Sequence, residues 1–282
     1  MKIRFGPSGN SQSFYDQGYT STKQAPKWLY EMGLDAFEYS FGKGVRISEP
    51  TANEIGSVMA EYGMALSLHA PYYINFATLE EDKEKNNYRY ILESARAAKW
   101  MGAARIIFHP GSASGQDREQ TVKLAIERIG IALAKMEDGG YGDIAICPET
   151  MGKPSQLGSL DETMEICESH EKLIPCIDFG HLHARDHGAM KSEADYSNIL
   201  DTMEKRLGRE RISNFHIHFS RIQYTDAGEK RHMNFIDEGY GPDFEPLARQ
   251  LKNRGLCPTV ICESSGNMAE DAMQMKKIYG LV

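Results

Sequence analysis

Short apolar runs alternate with longer amphipathic segments along the whole chain. Eight of these runs are rich in branched or aromatic residues and end at polar or turn-forming residues, a pattern that predicts β-strands. They cover residues 2–6, 36–40, 65–69, 105–109, 144–149, 174–178, 214–219 and 259–263. Their even spacing indicates one repeated structural unit.

The segments between the runs have the apolar spacing of helices, and several end at glycine, a common helix terminator. They cover residues 21–32, 49–62, 83–102, 118–137, 160–171, 195–207, 243–254 and 267–279. The charged residues 79–90 are interpreted as a loop and the solvated start of a helix. Eight strand-then-helix units predict an α/β fold, a (β/α)8 TIM barrel formed as a single domain by residues 1–282.

The ends of the predicted strands bear an unusual set of polar residues. In a barrel of this type the active site lies at the C-terminal ends of the strands. There the sequence places His69, His109, Glu149, Asp178 with His181, one of His216 and His218, and Glu263. One histidine at a strand end is commonly structural, but so many converging groups would repel or stay unpaired without cations. Imidazoles and carboxylates without thiolates favour zinc, manganese or iron.

Composition narrows the class of protein further. The five cysteines form no CxxC pair, and Cys147, Cys176 and Cys262 lie in apolar runs. We therefore expect reduced thiols in a cytoplasmic protein, here taken to be a monomer. No apolar run is long enough for a membrane span or a signal peptide. A net charge of −8 argues against nonspecific adhesion to nucleic acid, although bound metal ions would reverse the sign locally.

Seven sequence blocks stand at or near the ends of the predicted strands: LHAPYYINFA (68–77), FHPGS (108–112), CPET (147–150), CIDFGH (176–181), HIHFS (216–220), KRHMNF (230–235) and CESSG (262–266). In order and spacing they resemble the blocks of the endonuclease IV family of apurinic/apyrimidinic endonucleases. The resemblance extends over nearly the whole chain. It implies a DNA-repair hydrolase that acts on damaged double-stranded DNA.

The resemblance also implies three metal positions, usually occupied by zinc. The residues concerned are His69, His109 and Glu149 for the first, Glu149, Asp178, His216 and Glu263 for the second, and His181 with His232 for the third. Glu149, which bridges the first two positions, and Glu263 are the carboxylates assigned to catalysis. A bridged ion pair would activate a water that attacks the phosphorus 5′ to the base-less sugar. We expect two or three zinc ions, with manganese or iron as alternatives.

Two positions depart from the family pattern. His216 and His218 have the same parity and face the same side of their strand. Alignment with the family's HLNDS block assigns His216 as the ligand and His218 as a neighbour that orients a ligand or phosphate. At the third metal position, Lys230 replaces the expected aspartate. Either Glu229 reaches inward from the preceding position, or Lys230 supplies a positive charge instead; we predict Glu229 or water as the third ligand.

The residues predicted to contact DNA lie on the loops that follow the strands. Tyr72 and Tyr73 occupy the loop position that enters the duplex in the family, and aromatic side chains there can stack on bases. The alternative is ordinary packing of these tyrosines on neighbouring loops. Lys43 and Arg46 are candidates after the second strand, and Lys230 is a further candidate for a phosphate contact.

Two other functions remain open on the sequence. A sugar isomerase or epimerase on the same barrel needs one divalent ion, held by Glu149, Asp178, His216 and Glu263. A binder of damaged nucleic acid that no longer cuts is the non-enzymatic alternative. His69 and His109 distinguish the first from a two-metal hydrolase, because the isomerase has no use for them.

Overall fold

The computed structural model describes residues 2–113 and 115–282, and its centre is a barrel of eight parallel strands. The barrel strands are β1 Arg4–Pro7, β2 Ala36–Ser40, β3 Ala65–His69, β4 Arg105–Phe108, β5 Ala145–Pro148, β6 Cys176–Asp178, β7 His216–Phe219 and β10 Thr259–Cys262. Each overlaps one of the eight predicted runs. Their parallel pairing follows from the helical connection after each strand, since parallel neighbours need a crossover.

The barrel is built from two four-stranded halves. One half has the order β1-β10-β7-β6 and the other the order β2-β3-β4-β5. Parallel bridges between Ser8 and Glu38, and between Glu149 and Cys176, join the two halves at both seams. The strands therefore form a closed ring, and the predicted TIM barrel is confirmed.

Helices surround the ring and cover its outer face. They are α1 Gln12–Asp16, α2 Ala25–Glu31, α3 Glu49–Glu61, α4 Glu81–Met101, α5 Arg118–Asp138, α6 Leu160–Glu168, α7 Phe179–Arg185, α8 Glu193–Leu207, α9 Arg209–Ile212, α10 Phe244–Arg254 and α11 Met268–Leu281. Gly102 and Gly255 end α4 and α10 with φ angles of 67° and 60°, a left-handed conformation that suits glycine. None of the helices in the described part of the chain is long and apolar enough to cross a membrane.

A β-hairpin that the sequence did not predict follows the seventh barrel strand. Its strands are β8 Arg221–Thr225 and β9 Gly228–Met233, which pair antiparallel outside the barrel. The predicted barrel units left residues 220–242 without regular structure. The hairpin matters because it brings Glu229 and His232 back over the mouth of the barrel.

The apolar core lies mainly between the strands and the helices. Phe37 of β2 packs in this layer, whereas its neighbour Glu38 points the other way, into the barrel interior, because successive strand residues alternate. The interior holds Ile107, Cys147 and Cys176 as a small separate apolar group. Glu38 and His216 are also fully buried. The barrel interior is thus more polar than the branched apolar filling that is usual for this fold.

Candidate metal centre

The C-terminal ends of the barrel strands, helix α7 and the hairpin strand β9 together bring nine metal-type side chains to one rim. We call them the rim cluster: His69, His109, Glu149, Asp178, His181, His218, Glu229, His232 and Glu263. His69 is the last residue of β3 and Asp178 the last of β6, while His109, Glu149 and Glu263 directly follow their strands. The strands stop there because their apolar alternation ends.

Glu149 lies at the centre of this cluster and is fully buried. Its Oε2 is 3.2 Å from His69 Nε2 and 3.3 Å from His109 Nε2. Its Oε1 is 3.0 Å from His218 Nδ1 and 3.4 Å from His181 Nδ1. Each oxygen of the carboxylate therefore faces different histidines, so each oxygen could contribute to a separate group of ligand atoms.

Two groups of potential ligand atoms share Glu149. His69, His109 and Glu149 form one group, and Glu149, Asp178, His218 and Glu263 form the other, with the ligand atoms of each group within 4.8 Å of one another. His218 Nδ1 is also 3.4 Å from Glu263 Oε2. Both groups match the predicted sets except at one position.

That exception is the choice between His216 and His218, which the structure reverses. His218 is in register with Asp178, near the C-terminal end of β7, whereas His216 begins the strand opposite Cys176. Two residues of strand separate their Cα atoms by about 6–7 Å. His216 therefore lies too deep to join the rim and instead contacts Glu38, at 3.1 Å. Burial outweighs that contact and lowers the pKa of His216 to about 4, so this imidazole is neutral.

A third group consists of Asp178, His181 and His232. Asp178 caps helix α7 by accepting a hydrogen bond of 2.7 Å from the backbone N–H of His181. His181 Nδ1 contacts the carbonyl oxygen of Thr150 at 2.9 Å, and His232 Nδ1 contacts Ser220 Oγ at 2.7 Å. These contacts leave the Nε2 atom of each ring to face the cleft.

Glu229 lies beside the third group, one position before the expected aspartate. Its Oε2 is 3.4 Å from His181 Nε2, and its Oε1 is 3.8 Å from His232 Nε2. Lys230 is the extra residue of a β-bulge, since Gln223 pairs with Arg231 and Tyr224 with Glu229. The bulge resets the alternation of the strand, so Glu229 and His232 face the same side although they are three residues apart. Lys230 is exposed and does not line the cleft.

Two glycines allow the hairpin to approach the barrel closely enough for this contact. A side chain at Gly228 would meet the carbonyl oxygen of Gly152 at 2.3 Å, and one at Gly152 would meet Glu229 Cβ at 2.6 Å. The backbone N–H of Glu229 donates to the same Gly152 carbonyl at 3.0 Å. The loop after β5 and the start of β9 are therefore in direct backbone contact, which fixes Glu229 over the mouth.

The carboxylates and imidazoles of the cluster shift one another's pKa strongly. Burial raises the pKa of Glu149, but His218, His109 and His181 together hold it well below its usual value. Burial lowers the pKa of His69, yet Glu149 raises it to about 9. Burial raises the pKa of Asp178, whose Oδ2 is buried without a hydrogen-bond partner. An orphaned carboxylate oxygen among imidazole nitrogens fits a divalent ion, because a metal satisfies both donor types at once.

All members of the cluster except Asp178 and His218 line a cleft of about 330 Å³ at the mouth of the barrel. Lys153 and Gln156, in the loop after β5, also line it. Neither residue was predicted from the sequence. Lys153 follows the conspicuous CPET block by only three positions, so its place after a barrel strand was the available signal.

Apart from Lys230, the predicted DNA-contact residues lie on two adjacent loops beside the cleft. Tyr72 and Tyr73 are about half exposed, and their ring centroids are 4.3 Å apart. The backbone N–H of Tyr72 donates to the carbonyl of Gly42 at 3.2 Å, which joins this loop to the one that contains Lys43. Lys43 and Arg46 are exposed. Tyr72 lines the cleft.

Comparison with known proteins gives the family. A family model described as a xylose isomerase-like TIM barrel matches residues 26–278. The chain belongs to this family. An uncharacterized protein of Methanocaldococcus jannaschii is 35% identical over 256 residues, which cover 89% of each chain. A probable endonuclease 4 of Shouchella clausii is 29% identical over 183 residues, 62% of this chain and 60% of that relative.

Solved structures agree on the fold. Endonuclease IV from Thermus thermophilus superimposes with a TM-score of 0.69 at 18% identity, over 99% of this chain and 98% of that one. A 3-keto-D-glucoside 4-epimerase from E. coli superimposes with a TM-score of 0.70 at 14% identity, over the whole of both chains. At these identities the likeness establishes the barrel alone. The family resemblance seen in the sequence blocks is thus confirmed. The solved structures that share the barrel have names of more than one activity.

Proposed function

We propose that this protein is a metal-dependent phosphodiesterase that cuts DNA on the 5′ side of apurinic/apyrimidinic sites. The observation that supports it most is the convergence of four histidines on the two oxygens of Glu149. A carboxylate shared in this way suits two neighbouring ions. Ions held so close together are typical of enzymes that hydrolyse phosphodiesters.

The rim cluster offers ligands for three ions, of which zinc is the one we propose. The sets are His69, His109 and Glu149; Glu149, Asp178, His218 and Glu263; and Asp178, His181 and His232 with Glu229. When bound, such ions would activate a water for attack on phosphorus and offset charge on the phosphate oxygens. Manganese and iron accept the same donors.

The chain's own residues would orient the substrate. Lys153, exposed at the edge of the cleft, is placed to contact a phosphate as a point charge. Tyr72 and Tyr73 present their rings beside the cleft, where a gap left by a missing base would admit them. Lys43 lies near Tyr73 and adds a positive charge to the same loop pair. Damaged double-stranded DNA is therefore the proposed partner.

A second candidate is sugar epimerisation or isomerisation with one divalent ion. The group Glu149, Asp178, His218 and Glu263 is complete without the other ligands, which favours this candidate. Two of its carboxylates, Glu149 and Glu263, would be available to move a proton. This activity gives no role to His69 and His109, although both contact Glu149.

The test is incubation of the zinc-loaded protein with a duplex that contains one tetrahydrofuran site, an abasic analogue that cannot break by elimination. We expect incision on the 5′ side that a chelator stops and that His69→Ala and His109→Ala abolish. His170→Ala is the matched control, because His170 lies after α6 away from the rim. Epimerisation of a ketose that survives both rim substitutions, with no incision, would favour the second candidate instead.

A further inference from the structure

Glu38 is a fully buried carboxylate that the rim cluster does not include. It lies on β2, in the barrel interior beneath the rim. Its Oε2 accepts a hydrogen bond of 2.8 Å from Ser67 Oγ and lies 3.1 Å from His216 Nε2. Its Oε1 lies 3.0 Å from His218 Nε2. A buried charge costs several kcal/mol unless such partners offset it, so this arrangement needs a reason.

Glu38 links the two histidines of β7. Cys176, His216 and His218 form a buried group with the spacing of metal ligands. Glu38, however, places one oxygen against each imidazole, at 3.1 Å and 3.0 Å. The negative charge that this group needs is therefore already supplied by the protein.

His218 has one nitrogen toward the rim and one toward Glu38. Its Nδ1 lies 3.0 Å from Glu149 Oε1. Beyond the close ion-pair contact between them, neither His218 Nε2 nor Glu38 Oε1 has a hydrogen-bond partner among the described residues. An imidazole that binds a metal presents one unprotonated nitrogen and usually donates its other N–H to a carboxylate or carbonyl.

We infer that Glu38 is a positioning residue of the metal centre, which holds His218 with Nε2 protonated and Nδ1 free to bind the rim ion. His216 acts one step further away: it donates from Nε2 to Glu38 Oε2 and so keeps the carboxylate turned toward His218. Ser67 supports the same oxygen. The inference rests on the metal centre of the proposed function and is independent of the DNA substrate.

The direct test is proton–nitrogen correlation NMR of the histidine side chains in the zinc-loaded protein. The expected spectrum shows His218 with a retained Nε2–H and a metal-shifted Nδ1. A His218 that binds zinc through Nε2 in the wild-type protein would overturn the inference. This measurement needs no variant, so it stands even if a substitution at Glu38 prevents folding.

Two substitutions of Glu38 separate its hydrogen bond with His218 from its negative charge. Glu38→Ala should weaken zinc binding roughly 10–100-fold, the usual loss for a residue that orients a ligand, and should disturb the His218 signals. Glu38→Gln should restore most of the affinity, because its amide oxygen still accepts from His218 Nε2 while its N–H donates to His216, whose proton moves to Nδ1. Zinc affinity in Glu38→Ala equal to that of the wild type would contradict the inference.

Asp35→Asn is the matched control. Asp35 is a largely buried carboxylate that accepts from the backbone N–H of Phe5 at 2.9 Å and pairs with Lys2, far below the rim. Its loss should lower stability and leave zinc affinity unchanged. The role of Glu38 and the DNA substrate can be tested independently. Zinc bound to Nε2 of His218 would overturn only the role of Glu38. Zinc bound to Nδ1 of His218, without incision of DNA, would overturn only the proposed substrate.

Discussion

The rim cluster and the cluster around Glu162 both hold carboxylates away from water, but they satisfy them differently. Glu162 is paired by protein donors alone: Arg118 contacts both of its oxygens, and the backbone N–H groups of Gly158 and Ser159 donate to Oε2 at 3.0 and 2.9 Å. In the rim cluster, Asp178 Oδ2 is buried without a hydrogen-bond partner, although His181 Nδ1 lies 3.4 Å from it. Its neighbours include imidazoles, which are donors only at the nitrogens that hold protons.

The difference shows how to tell a structural carboxylate from a functional one. Burial raises the pKa of Glu162, and Arg118 with the two backbone donors lowers it to about 2, so the folded protein keeps this group charged without any ion. In the rim cluster, by contrast, the negative charge of the carboxylates is offset only when the imidazoles hold protons or when cations bind. The carboxylate of Glu162, whose partners are complete, supports the fold, whereas the incompletely bonded Asp178 lies among the candidate metal ligands.

The largest expected effect is the loss of the shared carboxylate of the rim. Glu149→Ala should reduce incision at an abasic site by roughly 10³-fold or more, beyond the loss for a single stabilising donor, because both adjacent ligand groups lose a member. Gel assays of cleavage and elemental analysis of bound metal would measure it. Glu162→Ala should leave metal content unchanged. Full metal content in Glu149→Ala would show that Glu149, like Glu162, is not needed to hold an ion.

The next effect concerns stability and its dependence on pH. Glu162→Gln should lower the free energy of unfolding by about 2 kcal/mol at pH 7. The drop in pKa from 4.5 to about 2 corresponds to about 3 kcal/mol, which screening by solvent around this partly exposed group reduces. A lowered folded-state pKa stabilises above pH 4.5, and this contribution is lost as the pH falls toward 2. Urea unfolding of both proteins at pH 7 and pH 3 should show the difference shrinking. A difference that stays constant would mean that charge plays no part.

A smaller effect tests the hairpin that covers the rim. Glu229→Gln should weaken the ion at the third group by roughly 10–100-fold and leave the pair around Glu149 in place. Graded chelation, followed by elemental analysis, should release one ion earlier than in the wild type. Lys230→Gln is the matched control, because Lys230 is exposed on the same strand. Early release of one ion from Lys230→Gln, with normal release from Glu229→Gln, would contradict the prediction. It would show that the charge of Lys230, not the carboxylate of Glu229, serves the third position.

The smallest effect is expected at the loop beside the cleft. Replacing both Tyr72 and Tyr73 with alanine should weaken binding to an abasic duplex by about 1–2 kcal/mol, the low end for stacking on bases, with metal content unchanged. Fluorescence anisotropy would measure the affinity. Tyr30→Ala serves as control, since Tyr30 is similarly exposed but lies near the opposite end of the barrel. Equal losses in both variants would remove the loop from substrate recognition.

Sequence alone predicted much of the fold and most of the rim. Eight strands and the helices between them follow from local periodicity and terminating glycines, which depend on neighbours along the chain. His69, His109, Glu149, Asp178 and Glu263 were found because each one stands where an apolar run ends. A strand end is a local feature, and the barrel brings all such ends to one side.

Only the tertiary structure decided between His216 and His218. The two residues have the same parity, so periodicity cannot separate them, and the choice depends on how far β7 is shifted against β6 and β10. The sequence left open whether Glu229 or Lys230 serves the third position. The bulge at Lys230, which places Glu229 on the same side as His232, is a feature of the tertiary structure. Glu38 went unnoticed inside a correctly predicted strand, because its partners Ser67, His216 and His218 lie on other strands. Barrel closure brings them together, and closure depends on pairing between residues far apart in the chain, which local pattern does not encode.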